Sequence, residues 1–244
     1  LRDVPPAPTL KLGAFDLIAE VKLRSPAVGL LKAAATENVG ERVCTYARAG
    51  AAAVSILTEP SRFDGSLADL EKGARALHAL DVPAMRKDFI VDHYQVLEGR
   101  HAGAGGVLAI LRMIPRFALE QIIDTAIEQG MFVLLEAFDE PDIALAHSLV
   151  EPRFAHRDQL LVGVNSRDLV TLKVVPGRLD ALGNQLPRSV KRVAESGVAT
   201  AEDAARAARS GYDLALVGSA LMSAADPAAL ARDMLAAARH ERFA

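Results

Sequence analysis

The chain has 244 residues, of which 51% are hydrophobic and 24% charged, a balance typical of a soluble globular enzyme. Its formal net charge of −3 argues against a nucleic-acid or anionic-membrane partner. The single cysteine, Cys44, excludes an internal disulfide, and no apolar stretch approaches the ~20 residues of a membrane span. The first residues lack the architecture of a signal peptide, so we expect a cytoplasmic location.

Short apolar runs alternate with amphipathic, Ala-rich segments along the chain. Residues 1–16 are Pro-rich and are predicted to be an irregular N-terminal segment, followed by one domain over residues 17–244. The predicted strands are Leu17–Lys22, Ala53–Thr58, Ala84–Phe89, Gly106–Leu111, Phe132–Ala137, Leu160–Asn165, Ser189–Ser196 and Leu214–Ser219. The predicted helices are Glu37–Ala49, Leu67–Leu80, Tyr94–Ala102, Pro115–Gln129, Glu140–Val150, Pro176–Leu182, Ala201–Ser210 and Pro227–Arg239.

This alternation predicts an α/β fold, a single (β/α)₈ TIM barrel. Strand–helix units with short loops form right-handed parallel crossovers, and eight of them close a barrel of roughly 250 residues. A doubly wound open sheet is the rival fold, but no G-x-G-x-x-G motif follows a predicted strand. In barrels of this kind the catalytic groups sit at the C-terminal ends of the strands.

Small residues end the last two predicted strands. Ser196-Gly197 follows the seventh strand and Gly218-Ser219 ends the eighth. Loops at these two places form the phosphate site that recurs in this fold, because small residues let backbone N–H groups approach an anion closely. Each pair alone is also an ordinary turn, but together they predict phosphate binding.

Charged residues end other strands that are otherwise apolar. Glu20 and Lys22 are two residues apart and share one side of the first strand, where Lys22 offers a cation to an anionic substrate. Lys87 and Glu136 end the third and fifth strands and are predicted to form an acid–base pair. We expect burial to lower the pKa of Lys87 and to raise that of Glu136, bringing both toward working pH.

Neighbouring polar residues complete the predicted site. Asp88 follows Lys87 directly, so strand alternation points it away from the mouth and we interpret it as structural. Asn165 ends the sixth strand and can hydrogen-bond a hydroxyl or a carboxylate, whereas Arg167 either holds a substrate anion or pairs with Asp168. The histidines fall outside the strand ends, and no metal site or cofactor motif is expected.

These residues belong to an ordered set of motifs that resembles the indole-3-glycerol phosphate synthase family from about Leu17 to the C-terminus. The motifs are Glu20-Val-Lys22-x-x-Ser25-Pro26, Ser55-Ile-Leu-Thr-Glu59, Phe63-x-Gly65-Ser66, Arg86-Lys-Asp-Phe-Ile90, Leu135-Glu136, Gly163-Val-Asn-Ser-Arg-Asp-Leu169, Ala194-Glu-Ser-Gly197 and Gly218-Ser-x-Leu-Met222. That family is a (β/α)₈ barrel. It converts 1-(2-carboxyphenylamino)-1-deoxyribulose 5-phosphate to indole-3-glycerol phosphate, CO₂ and water without cofactor or metal.

The resemblance implies a role for each matching residue. Lys87 matches the general acid, Glu136 the general base that assists dehydration, and Lys22 the lysine that contacts the substrate anion. The residues that match the lining of the reacting centre are Glu20, Asn165 and Glu195. The residues that match substrate or phosphate contacts are Ser25, Ser196, Gly197, Gly218 and Ser219, with Arg167 as a further candidate; Phe63 and Leu111 are expected as walls for the aromatic ring.

The chain also departs from the family pattern. Only 19 residues precede Glu20, where family members usually carry an additional helix, and the stretch at Arg112-Met113 is unusual. Two rival functions stay open. One is a phosphoribosyl anthranilate isomerase, disfavoured because Cys44 lies in a predicted helix rather than at the end of the first strand. The other is a catalytically impaired phosphate-sugar-binding barrel or a paralogue in a specialised indole pathway. We expect a monomer that acts on a small phosphorylated molecule.

Overall fold

The computed structural model describes residues 4–27, 29–32 and 37–243, and eight parallel strands within these ranges close into a barrel. Each strand pairs with its neighbours in chain order, and the first pairs with the eighth. The strands are β1 (Asp16–Val21), β2 (Ala53–Leu57), β3 (Ala84–Lys87), β4 (Gly106–Ile110), β5 (Phe132–Ala137), β6 (Leu160–Asn165), β7 (Lys191–Glu195) and β8 (Leu214–Val217). The predicted TIM barrel is confirmed.

Helices surround this barrel and return the chain from the end of one strand to the start of the next. They are α1 (Val39–Arg48), α2 (Pro60–Phe63), α3 (Leu67–His78), α4 (His93–His101), α5 (Arg116–Glu128), α6 (Glu140–Val150), α7 (Arg178–Gly183), α8 (Ala201–Arg209), α9 (Ser219–Ser223) and α10 (Pro227–Phe243). The short helices α2 and α9 were not predicted. No helix among the described residues is long and apolar enough to cross a membrane.

The ends of several elements differ from the prediction by a few residues. Strand β3 stops at Lys87 because the Asp88 carboxylate accepts a hydrogen bond from the Phe89 N–H, at 2.8 Å, and so turns the backbone away from the ladder. Helix α7 begins two residues later than predicted, because Gly177 has a φ of +75° and cannot be part of a right-handed helix.

The apolar core has two parts, one outside the barrel and one inside. The larger part lies between the strands and the helices. The interior part is built from alternate residues of the strands, including Ile18, Met85, Leu134 and Val193. Side chains alternate between the two faces of a strand, so the residue two positions after each of these also points into the barrel. These following residues lie at the mouth formed by the C-terminal ends of the strands.

The N-terminal segment closes the other end of the barrel. Residues 5–13 have no helix or strand, but Leu10 and Leu12 pack against the interior cluster. The Arg239 side chain of α10 fixes the start of β1, since it donates hydrogen bonds to the Phe15 carbonyl and to Asp16 Oδ1, both at 2.9 Å. The open end of the barrel is therefore the mouth formed by the C-terminal ends of the strands.

Candidate active site

Five ionisable side chains and one amide meet at the mouth of the barrel. They are Glu20, Lys22, Lys87, Glu136, Asn165 and Glu195, and they come from β1, β3, β5, β6 and β7 or, for Lys22, from the residue after β1. Each continues the interior series of its strand: Glu20 follows Ile18, Lys87 follows Met85 and Glu136 follows Leu134. The structure thus brings together all six residues that the sequence placed at the reacting centre.

Two ion pairs and one hydrogen bond connect these groups. Lys22 Nζ donates to Glu20 Oε1 at 2.6 Å. Lys87 Nζ lies 3.6 Å from Glu136 Oε2, and Asn165 Nδ2 donates to Glu136 Oε1 at 2.5 Å. Glu136 is therefore held on one oxygen by the amide and faces the ammonium with the other. That arrangement places a proton donor and a proton acceptor side by side at the mouth.

Gly163 makes room for the third carboxyl group. It occupies an interior position of β6 between Leu161 and Asn165, where a methyl group would overlap the Glu195 carboxylate. Glu195 is buried, and neither of its carboxyl oxygens has a hydrogen-bond partner among the described residues. Sequence reasoning missed Gly163, although a glycine at the interior position of an otherwise apolar strand indicates close approach of another group.

Gly218 makes room for the Glu20–Lys22 pair in the same way. A Cβ at this position would overlap Glu20 Oε1 and lie 2.9 Å from Lys22 Nζ. The sequence interpretation of Gly218 was a phosphate contact. The structure adds a steric role, because any larger residue at this position displaces the ion pair on β1.

The expected direction of the Lys87 pKa shift was wrong. Burial does act against the charged ammonium, but the negative charges of Glu136, Glu20 and Glu195 outweigh it and raise the pKa of Lys87 above its usual value. The sequence argument weighed burial alone and did not count three carboxyl groups around one lysine. Lys87 therefore stays protonated at neutral pH, as a proton donor must.

The pKa values of two carboxyl groups at the mouth, Glu195 and Glu20, are shifted in opposite directions. Burial raises the pKa of Glu195 well above its ordinary value of 4.5, and the charges of Glu136 and Glu20 add to this, while Lys87 acts against it. Burial also acts on Glu20, but Lys22, Lys87 and Arg167 outweigh it and lower the pKa of Glu20. Burial and like charge thus favour the neutral form of Glu195, whereas the neighbouring cations favour the charged form of Glu20.

Replacing Glu195 by glutamine is expected to stabilise the fold at neutral pH. A carboxyl group with a raised pKa contributes its full stability below the unfolded-state pKa near 4.5 and loses it as the pH rises through the higher folded-state pKa. The neutral amide removes this loss. Urea unfolding between pH 4 and pH 8 should show a flatter pH dependence for Glu195→Gln than for the parent; parallel curves would contradict a raised pKa of Glu195.

Aromatic side chains stand beside the charged cluster. The ring centroids of Phe63 on α2 and Phe89 after β3 are 6.4 Å apart. Phe89 packs against the interior cluster, which contains Ile110 and Phe138. The sequence analysis quoted Phe89 in a motif, but it assigned none of these three residues a role as a wall for the aromatic ring. Leu111, an expected wall, lies instead in the outer cluster, and its contact with an aromatic ring stays a prediction.

The remaining predicted contacts lie in the loops around the mouth. Ser25 is buried in a two-residue strand that pairs with Gly29–Leu30. Arg167 Nη1 donates to the Leu172 carbonyl at 2.6 Å, whereas the Asp168 carboxylate accepts from the backbone of Val170 and Thr171. Of the two uses left open for Arg167, pairing with Asp168 is therefore not the one observed.

The chain turns sharply where it leaves β7 and β8. Ser196 and Gly197 have φ angles of +63° and +73°, so two consecutive residues adopt the left-handed conformation. The neighbouring Ser166 hydroxyl is buried and has no partner among the described residues, and Gly197 leaves space beside it. Ser219 is the first residue of α9. These loops adjoin the charged cluster on the β7–β8 side of the mouth.

A cavity of about 250 Å³ lies at the opposite end of the barrel. It is lined by Arg157, Asp158, Arg188, Ser189, Val190, Lys191, Arg192 and Asp213. The Asp213 carboxylate is the shared partner of Arg192, at 3.2 Å, and Arg242, at 3.0 Å, so these charges tie the starts of β7 and β8 to α10. No group of three or more His, Cys, Asp or Glu residues in the described ranges is arranged to hold a metal ion.

A sequence profile described as "Indole-3-glycerol phosphate synthase" matches residues 10–234 of the chain. The chain belongs to the indole-3-glycerol phosphate synthase family. A relative in Nocardioides sp. named indole-3-glycerol phosphate synthase is 42% identical over 94% of this chain and 83% of its own. Another relative with this name, from Methanopyrus kandleri, is 42% identical over 92% of this chain and 84% of its own.

Similarity to solved structures supports the fold independently. The crystal structure of 3-hexulose-6-phosphate synthase from Salmonella typhimurium aligns with a TM-score of 0.64 at 20% identity, covering 93% of this chain and all of that one (100%). Membership of the synthase family makes the chain a carboxy-lyase of tryptophan biosynthesis. Neither the family match nor these relatives support the two rival functions.

Proposed function

We propose that the mouth of the barrel carries out the family reaction with Lys87 as general acid and Glu136 as general base. The observation that carries this proposal is the Lys87–Glu136 pair, 3.6 Å apart among interior side chains at the C-terminal end of a closed barrel. The substrate is 1-(2-carboxyphenylamino)-1-deoxyribulose 5-phosphate, and the products are indole-3-glycerol phosphate, CO₂ and water.

The first step joins the aromatic ring to the sugar chain. The ring carbon that bears the carboxylate attacks the ketose carbonyl carbon, and the carbonyl oxygen takes a proton from the Lys87 ammonium and becomes a hydroxyl group. The raised pKa of Lys87 keeps that proton available at neutral pH. Lys22, which is paired with Glu20, supplies a cation for the carboxylate of the substrate.

The second and third steps restore the aromatic system. Cleavage of the bond to the carboxylate releases CO₂ and returns its electron pair to the ring. Lys87, reprotonated from solvent, then gives a second proton to the new hydroxyl group, which leaves as water. Glu136 removes a proton from the carbon next to the ring nitrogen, and the electron pair of that C–H bond forms the double bond of the indole. The Asn165 amide holds the other Glu136 oxygen at 2.5 Å and keeps the carboxylate turned toward the reacting centre. Glu195 lines the same space.

The ring and the phosphate are assigned to opposite parts of the mouth. Phe63 and Phe89 offer an aromatic wall on the side of β2 and β3, where the anthranilate ring fits. The loops after β7 and β8, with Ser196, Gly197 and Ser219, take the phosphate, as in other barrels of this fold. Ser25 and Arg167 approach from the neighbouring loops.

Indole fluorescence gives a direct test of the proposed reaction. The chain contains no tryptophan, so an indole product appears over a low protein background. Incubation of the purified chain with the substrate should produce indole fluorescence together with CO₂ in equal amounts. Binding of the substrate with no indole product would support the rival interpretation of a phosphate-sugar-binding barrel.

A negative charge at Ser219 is expected to weaken phosphate binding selectively. Ser219→Asp places a carboxylate at the start of α9, so the Kd of indole-3-glycerol phosphate should rise by the equivalent of about 2–3 kcal/mol, the scale of lost charge-assisted hydrogen bonds. Calorimetry with the product and with its dephosphorylated form measures this difference. Ser219→Ala is the matched control, and an equal effect of Ser219→Asp on both ligands would place the phosphate elsewhere.

We also propose that the protein is a monomer, that it is located in the cytoplasm, and that this phosphorylated small molecule is its partner. Light scattering of the purified chain tests the oligomeric state, since a mass near 25.9 kDa corresponds to a single chain.

A further inference from the structure

The outer face of β3 carries a buried ionic network directly behind the proposed acid. Arg86 alternates with Met85 and Lys87 on this strand, so its side chain points away from the barrel interior. Only 4% of that side chain is exposed. Its guanidinium donates to Asp88 Oδ2 at 3.0 Å and to Glu98 Oε2 on α4 at 2.7 Å. A further bond reaches the Gln95 carbonyl at 2.8 Å.

The same network also includes Thr58, the residue after β2, and holds the backbone of Lys87 and Phe89. The Thr58 hydroxyl donates to Asp88 Oδ2 at 2.5 Å and accepts from Arg86 Nε at 3.2 Å. The Thr58 N–H donates to the Lys87 carbonyl at 3.0 Å. Asp88 Oδ1 accepts from the Phe89 N–H at 2.8 Å. The backbone on either side of Lys87 is therefore fixed by hydrogen bonds to Thr58 and Asp88, which are themselves bonded to Arg86 outside the barrel.

Helix α4 is shaped to accept the guanidinium. Gly99 faces Arg86, and a Cβ at Gly99 would lie 3.1 Å from Arg86 Cδ. Gln95 of the same helix donates to the Phe89 carbonyl at 3.3 Å. The start of α4 and the loop that carries Phe89 are thus held together around one buried arginine.

We propose that Arg86, Asp88 and Thr58 form a positioning network that sets the Lys87 ammonium opposite Glu136 and the Phe89 ring opposite Phe63. This inference rests on the proposed role of Lys87 and extends the site to residues that do not touch the substrate. It also replaces the interpretation of Asp88 as merely structural.

Energetics favour positioning over stability as the use of this network. Removing charged groups from water offsets most of the attraction between them, so a buried ion pair is a weak source of stability. The position of the turn after Lys87, in contrast, depends directly on the network. Asp88 receives hydrogen bonds from three different groups, and each of them limits where this turn can lie. A displacement of about 1 Å at a reacting group costs on the order of 10²-fold in rate.

Kinetics of Asp88 and Thr58 variants test the proposal. Asp88→Ala should lower kcat by about 10²-fold, the cost of a small misplacement, with a much smaller change in KM. Asp88→Asn keeps an acceptor for the Phe89 N–H and should fall between Asp88→Ala and the parent. Thr58→Val has nearly the same shape as the parent residue and should also lower kcat, which keeps the test valid if Asp88→Ala does not fold.

The control breaks another arginine–carboxylate ion pair, one that is more exposed and lies away from the mouth. Asp124 on α5 holds both Arg153 Nε, at 2.6 Å, and Arg153 Nη2, at 2.8 Å, and Arg153 is largely buried. Asp124→Asn should leave kcat unchanged, with at most a small loss of stability, because the Asp124 side chain is about half exposed. An equal loss of kcat in Asp124→Asn, or parent-like kcat in both Asp88→Ala and Thr58→Val, would overturn the proposal.

The protonation of Lys87 provides a readout that loss of stability alone does not move. Its pKa is raised by nearby carboxylates, so an ammonium displaced from Glu136 should titrate at lower pH. The alkaline limb of kcat should therefore move to lower pH in Asp88→Ala. Methyl-¹³C labelling of the seven lysines, with the Lys87 signal assigned by Lys87→Arg, follows the same titration by NMR without turnover.

The two readouts separate this inference from the proposed function. A parent chain that forms no indole product contradicts the proposed function, and the Lys87 NMR titration then decides the positioning role alone. An unchanged Lys87 titration in Asp88→Ala overturns the positioning role in either case.

Discussion

Replacing Lys87 by alanine is expected to lower kcat by about 10²–10⁴-fold, the contribution of a positioned general acid. Substrate binding should stay within about tenfold of the parent, or ~1.4 kcal/mol, because the cation of Lys22 and the phosphate loops remain. Lys87 is the ammonium that faces Glu136, and its raised pKa keeps it charged. Indole fluorescence measures turnover and calorimetry with the product measures binding.

Lys191→Ala is the control for this experiment. Lys191 begins β7 at the opposite end of the barrel, where it lies 3.9 Å from Asp213. The Lys191→Ala substitution removes the same kind of side chain and the same charge as Lys87→Ala. Because it lies far from the mouth, it should leave kcat unchanged. A Lys87→Ala protein that turns over within tenfold of the parent would remove Lys87 from the role of acid.

Replacing Glu136 by glutamine is expected to slow dehydration more than ring closure. Glutamine can still accept the hydrogen bond that Asn165 Nδ2 donates to Glu136 at 2.5 Å, so the geometry is kept while the base is lost. The loss should again be about 10²–10⁴-fold in the affected step. A single turnover that times CO₂ release and indole formation separately distinguishes the steps.

Glu128→Gln supplies the matched control for Glu136→Gln. Glu128 is exposed at the end of α5, the helix that leads into the strand carrying Glu136, and its replacement changes the net charge equally. Equal slowing of CO₂ release and indole formation in Glu136→Gln would contradict its assignment as the dehydration base.

Sequence periodicity was sufficient to predict the barrel and most of its mouth. A lysine or glutamate at the end of an apolar run stands out, because burying a charge is costly without a partner, and Lys87 and Glu136 were found in this way. Their convergence follows from topology, since the C-terminal ends of parallel strands share one rim of a closed barrel.

Other features of the site depend on three-dimensional neighbours that periodicity does not reveal. The direction of the Lys87 pKa shift required the positions of three carboxyl groups from three strands. Phe89 was included in the predicted third strand but lies in the turn after β3, and its place in the site depends on its contact with Phe63. Gly163 indicates by itself only that some group comes close, and the identity of that group, the carboxyl group of Glu195, became visible only in three dimensions.

The closure of the barrel by Leu10 and Leu12 has a consequence for how this chain can be rearranged. The N-terminal segment runs across the face opposite the mouth, from Pro5, whose carbonyl accepts a hydrogen bond from Arg100 of α4, to Phe15, which Arg239 of α10 holds. A circular permutant whose linker crosses this face, with new termini in the exposed stretch Glu151–Gln159 at the same face, leaves every strand–helix crossover at the mouth covalently intact. A fluorescent reporter fused at either end would likewise sit behind the barrel and leave the rim accessible to substrate.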